Sequence, residues 1–158
     1  MATADTQWRF QAPTDDTDTT FREESATMLA GALHEDAHGP ALRPRVLVVE
    51  DDPFIAIDLE DAFTTAGFEV VGPFAHPEPA IAATLANPPD VATLDYRLCG
   101  TTSRAVAKAL DRADVPILMV TGSEAEMLAR EGFAGREVFA KPCDIDRLIA
   151  RSRELACT

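Results

Sequence analysis

From Arg45 onward, short apolar runs alternate with segments of helical period. The runs are Val46–Val49, Glu69–Val71, Val91–Leu94, Ile117–Val120 and Val138–Ala140. They are continuous, the pattern of strands buried on both faces of a parallel sheet. Between the first two runs, Ile55, Leu59, Ala62, Phe63 and Ala66 recur at helical spacing, and Gly67 is a natural C-terminal stop. Further helices are predicted over Pro79–Ala86, ended by Asn87-Pro88-Pro89, over Ser103–Arg112, and over a short Glu124–Arg130 segment followed by Gly132 and Gly135. Asp144 can cap a fifth helix carrying Ile145, Leu148, Ile149 and Leu155. Five strand–helix units, with more helices than one face can hold, predict a doubly wound α/β fold with a five-stranded parallel sheet.

Residues 1–44 read differently. The stretch TDDTDTT at 14–20 has little that could build a core, so this extension is expected to be largely disordered. Thr20 and Glu23 form a capping box, and Ala26, Leu29, Ala30 and Leu33 follow at helical spacing, predicting one short helix near 21–34 before Gly39-Pro40. The expected boundary therefore leaves 45–158 as the working domain.

Composition narrows the function. A net charge of −13 and an isoelectric point near 4.5 argue against direct DNA binding, whose affinity comes largely from Lys and Arg on phosphates. No apolar run reaches the length of a membrane span, and no basic-then-apolar N-terminal signal is present. Three cysteines without CxxC spacing suit reduced thiols and a cytoplasmic location.

The chemistry collects at strand ends. The first run ends in Glu50-Asp51-Asp52, the third in Asp95, the fourth in Thr121 and the fifth in Lys141. In a doubly wound sheet all of these share the edge where ligands bind. If the first and third strands are neighbours, their ends lie roughly 5 Å apart. Carboxylates that close repel by about 4 kcal/mol per pair at an effective dielectric near 20. Either one takes up a proton or a cation sits among them, and clustered hard oxygens describe a Mg²⁺ site. The plainer alternative, acids favoured by a helix dipole, suits Asp52 but does not account for all five positions together.

VLVVEDDP, TLDYRL, ILMVTGS and VFAKP, in this order and spacing, resemble the receiver domain of bacterial two-component response regulators. The resemblance covers residues 45 to about 156. It implies the flavodoxin-like strand order 2-1-3-4-5, with Asp95 as phosphoacceptor. Mg²⁺ would be held by Asp51, Asp95 and the backbone carbonyl of Arg97, with Glu50 acting directly or through water. Thr121 would hydrogen-bond the phosphoryl group and Lys141 would pair with it. The implied partners are a sensor histidine kinase or a histidine phosphotransfer protein and a downstream protein target. With the chain ending just past the fifth helix, the expectation is a single-domain regulator without a fused output domain. It would signal by protein contacts, or serve as a phosphate sink or shuttle, and do no chemistry beyond its own phosphorylation and dephosphorylation.

Two positions depart from the family pattern. Val138 stands where many members carry a Tyr or Phe switch residue, and Ser123 breaks the Thr-Gly-Tyr sequence of one subgroup. Competing enzyme readings fail on single residues. A haloacid-dehalogenase-type phosphatase needs a second Asp two residues after Asp95, where Arg97 stands. A flavodoxin needs hydroxyls and amides, not carboxylates, in its first loop. His34-Glu35-Asp36-Ala37-His38 spells the H-E-x-x-H zinc motif, but Gly39-Pro40 cuts its helix short, and a zinc hydrolase is the least favoured alternative.

Overall fold

The computed structural model describes residues 43–123 and 125–157. The predicted helix near 21–34 and the His34–His38 motif lie outside them. Five strands form one parallel sheet: β1 (Arg45–Val49), β2 (Glu69–Phe74), β3 (Val91–Leu94), β4 (Ile117–Thr121) and β5 (Glu137–Ala140). Their spatial order is β2-β1-β3-β4-β5, the flavodoxin-like order expected. The order reverses between β1 and β3, whose ladder pairs Val49 with Leu94. The residues just beyond, Glu50 and Asp95, therefore emerge side by side.

Helices α1 (Pro53–Thr65), α2 (Pro77–Ala86), α3 (Arg104–Arg112), α4 (Ala125–Leu128) and α5 (Ile145–Ala156) follow the strands in turn. Alternate strand residues serve opposite faces, as the strand period of two requires. Leu47, Val49, Ala92, Leu94 and Met119 pack with Ala80, Val106 and Leu110 on the α2–α3 side. Val46, Val48, Val91, Leu118 and Val120 pack with Leu59, Phe63 and Leu148 on the α1–α5 side. No helix among the described residues is long and apolar enough to cross a membrane.

The differences from expectation have local causes. β2 runs on to Phe74, through Gly72-Pro73, because an edge strand tolerates a proline that a central strand would not. Gly72 has φ +108, and a Cβ there would lie 2.8 Å from the Val48 carbonyl oxygen, so only glycine fits. α2 starts at Pro77, not Pro79, since proline suits the first turn of a helix. α4 ends at Leu128 and passes into a π-helical turn, Ala129–Phe133, in which Gly132 takes φ 93. A two-residue antiparallel hairpin after β3, Arg97–Leu98 with Thr101–Thr102, was not anticipated.

Candidate functional site

Ladder hydrogen bonds continue past the strand ends and fix the backbone of each predicted site residue. The Glu50 N–H donates to the Phe74 carbonyl at 2.9 Å, that of Asp95 to Val49 at 2.9 Å, and that of Lys141 to Thr121 at 3.1 Å. Glu50, Asp51 and Asp95 offer carboxylate oxygens that all lie within 4.8 Å of one another. Glu50 is 2% exposed and Asp95 9%. Asp52 stands apart from this cluster and caps α1, accepting from the N–H groups of Phe54 at 2.9 Å and Ile55 at 3.3 Å.

Lys141 reaches into the middle of the acids. Its Nζ lies 2.6 Å from Asp95 Oδ2 and 2.6 Å from Glu50 Oε2. The contact with Asp95 is an aligned hydrogen bond. The contact with Glu50 is ionic but poorly aligned, which leaves the buried Oε2 without a hydrogen-bond partner. Glu50 Oε1 accepts from the Asp52 N–H at 3.1 Å. The repulsion expected from sequence is thus relieved by a resident ammonium, though one positive charge cannot balance three carboxylates.

The titration of the pair follows. Burial pushes the Glu50 carboxyl above the usual carboxylate range, and its contacts with Lys141 and the Asp52 N–H offset this only partly. Burial would lower Lys141, but its hydrogen bond to Asp95 and its close contacts with the two carboxylates outweigh that and hold the ammonium above its ordinary value.

Thr121, 1% exposed, ends β4 on the same edge. Its Oγ1 accepts from the Ser123 N–H at 3.2 Å, leaving the hydroxyl proton available to an acceptor in the cleft. That cleft, about 460 Å³, is lined by Asp95, Arg97, Thr121, Gly122, Ser123 and Met127. All predicted site residues thus meet at one sheet edge. The sequence reading missed the Cys99 N–H, which donates to Asp51 Oδ2 at 2.8 Å from the tip of the hairpin. It also missed the Arg97 N–H, which donates to Asp95 Oδ1 at 3.3 Å. Backbone donors carry no residue-type signal; the Cys99-Gly100 dipeptide was the sole hint of a turn.

The family model described as the response regulator receiver domain matches residues 46–153. The transcriptional regulatory protein TcrA of Mycobacterium tuberculosis is 33% identical over 137 residues, which are 84% of this chain and 54% of that protein. The chain therefore spans about half the length of this relative. A response regulator receiver protein from Sinorhizobium medicae superposes with a TM-score of 0.65 at 23% identity, covering 73% of this chain and 96% of that one. The receiver domain of a sensor histidine kinase from Pseudomonas aeruginosa, solved with magnesium coordinated in its active-site cleft, superposes with a TM-score of 0.64 at 21% identity, covering 73% and 99%. With its motifs in order along the chain and its strands in receiver order, this protein belongs to the response regulator receiver domain family of two-component signalling.

Proposed function

We propose that Asp95 accepts a phosphoryl group from a sensor histidine kinase or a histidine phosphotransfer protein, in a Mg²⁺-dependent reaction. The observation that carries this is the setting of Asp95, with one oxygen on the Lys141 ammonium, two more carboxylates beside it and an open cleft toward Thr121. A carboxylate oxygen of Asp95 attacks the donor phosphorus, and the bond from phosphorus to the donor nitrogen breaks. The phosphoryl group remains on Asp95 as an acyl phosphate, and the electron pair leaves with the donor imidazole, which solvent protonates. Lys141 pairs with a phosphoryl oxygen and Thr121 donates its hydroxyl proton to another. Both place positive potential where charge spreads over the transferring group.

The donor set fits magnesium. Three carboxylates offer oxygens within 4.8 Å of one another, and the ionised cluster keeps a negative excess that Lys141 does not cancel. Asp51, Asp95 and the Arg97 carbonyl would hold the ion, with Glu50 acting directly or through water, as hard-oxygen coordination favours. When bound, it supplies charge neutralisation at the phosphoryl oxygens. Phosphorylation and hydrolysis at Asp95 are the only chemistry proposed, set in the cytoplasm, with the signal leaving through protein contacts to a downstream target.

Intact-mass measurement after incubation with a small phosphodonor tests this. Wild type should gain one phosphoryl group with Mg²⁺ and little without it, and Asp95→Asn should gain none. An adduct that survives Asp95→Asn, or forms equally well in EDTA, sinks the reading.

A further inference from the structure

We infer that the Arg97–Thr102 hairpin positions the acidic pocket, its backbone holding Asp51 and Asp95 in the arrangement that a divalent cation needs. The inference rests on the Mg²⁺ reading of that pocket. Leu98 pairs with Thr101 across the two turn residues Cys99 and Gly100, which have φ 35 and φ 83. Positive φ at both central positions is what a mirror-image type I′ turn requires. Glycine adopts it freely, whereas Cys99 is held there against the preference of an L side chain.

This turn decides which backbone groups are free. In a two-residue hairpin the pair flanking the turn exchanges the ladder hydrogen bonds, so the next pair, Arg97 with Thr102, turns its N–H and C=O groups outward. The outward Arg97 N–H is the one that meets Asp95 Oδ1. The matching Arg97 carbonyl is likewise turned outward, without a ladder partner. At the tip, the Cys99 N–H has no ladder role either, and it meets Asp51 Oδ2 across 48 residues of sequence. One six-residue segment thus contacts both carboxylates through its backbone amides.

The hairpin is anchored from behind. Leu98 is fully buried in the α2–α3 core, and the Ser103 N–H donates to the Tyr96 carbonyl at 3.0 Å, closing its base. A turn anchored at its base and strained at its tip suits preorganisation, since a carboxylate held by a fixed amide does not have to be reoriented when the cation arrives.

The test is Mg²⁺ titration by calorimetry on the full-length chain, with melting curves as a check on folding. Gly100→Val puts a β-branched residue at φ +83, where the added Cβ itself meets nothing within 4 Å, so its effect is expected through backbone conformation. It should weaken Mg²⁺ binding at least 10-fold, the scale of losing an outer-shell partner. Cys99→Gly keeps the amide and relieves the strain, and should stay within about threefold of wild type by the same reasoning. Wild-type binding with Gly100→Val unchanged overturns the inference alone; a wild type that binds no Mg²⁺ overturns the reading of the site along with it. A readout without metal covers the case in which Gly100→Val does not fold. The Cys99 amide proton resonance should move upfield in Asp51→Ala as its acceptor is removed, and an unmoved resonance also overturns the inference.

Discussion

At the scale of single residues, the site is a buried acid held against a half-buried ammonium. Ionisation of Glu50 costs the fold, because its carboxylate has lost water and its contacts with Lys141 and the Asp52 N–H offset that only partly. Its raised folded value sets the sign of a pH effect. Between its ordinary value of 4.5 and the raised one, the folded state binds more protons than the unfolded state, so stability contributed at this position falls as pH rises. Lys141 stays charged throughout that window, being held above its ordinary 10.5. In metal-free buffer, the melting temperature of wild type relative to Glu50→Gln should therefore decline from pH 4.5 upward and level off once Glu50 is ionised in both states. On the proposed Mg²⁺ reading the cation binds the ionised form, and adding it should reduce that decline. A difference between the two proteins that is flat with pH, or that rises, would contradict this account of Glu50.

At the scale of elements, the β4–α4 region is the mobile candidate. Thr121 leads through Gly122 and Ser123 into a four-residue α4 and a π-helical turn that ends at Phe133. Phe133 stands edge-on against Tyr96, the residue after Asp95, with ring centroids 5.7 Å apart and an interplanar angle of 89°. The segment thus starts beside Thr121 and ends against the chain neighbour of Asp95. Val138, three residues before Lys141, pairs with Met119 in the sheet and is too short and too stiff at χ1 to act as a swinging aromatic. A switch needs a bistable element on which the phosphoryl group acts differently in its two states. Phosphorylation should accordingly change amide exchange mostly over 122–135 and little around Val138. Thr121→Ala should abolish most of that change, and Val138→Ala should leave it in place. Exchange changes confined to β5 and the start of α5 would refute this mechanism. The sequence exposed these elements unequally. Five doubly covered strands announce themselves as apolar runs, and Asp52, Gly67 and Asp144 announce helix ends. Two-residue strands have no period to detect, and Cys-Gly is a weak hairpin signal beside Asn-Gly, so the segment that holds Asp51 stayed hidden.

At the scale of the whole molecule, the gathering of the candidate residues was legible because topology converts sequence order into proximity. Glu50, Asp95, Thr121 and Lys141 are up to 91 residues apart, yet each follows the last residue of a strand or is that residue, and parallel strands put those ends on one edge. What the sequence left undetermined was how the charges settle, since a lysine between two acids depends on side-chain reach and not on spacing. The α2–α3 face and the α1–α5 face of the sheet are each covered by helices from within residues 43–157, and every candidate site residue lies between Glu50 and Lys141. Buried apolar area on both faces is the main term favouring the fold, and among the described residues the members of these two clusters run from Val46 to Ala156. A chain shortened to begin at Gly39 should therefore fold cooperatively and gain a phosphoryl group on Asp95 at a rate within about threefold of full length, since remote deletions that leave a site's contacts intact have small effects. The measurement is a melting curve paired with intact mass after incubation with a small phosphodonor and Mg²⁺. A shortened chain that melts normally but takes up no phosphoryl group would place the first 38 residues inside the working domain.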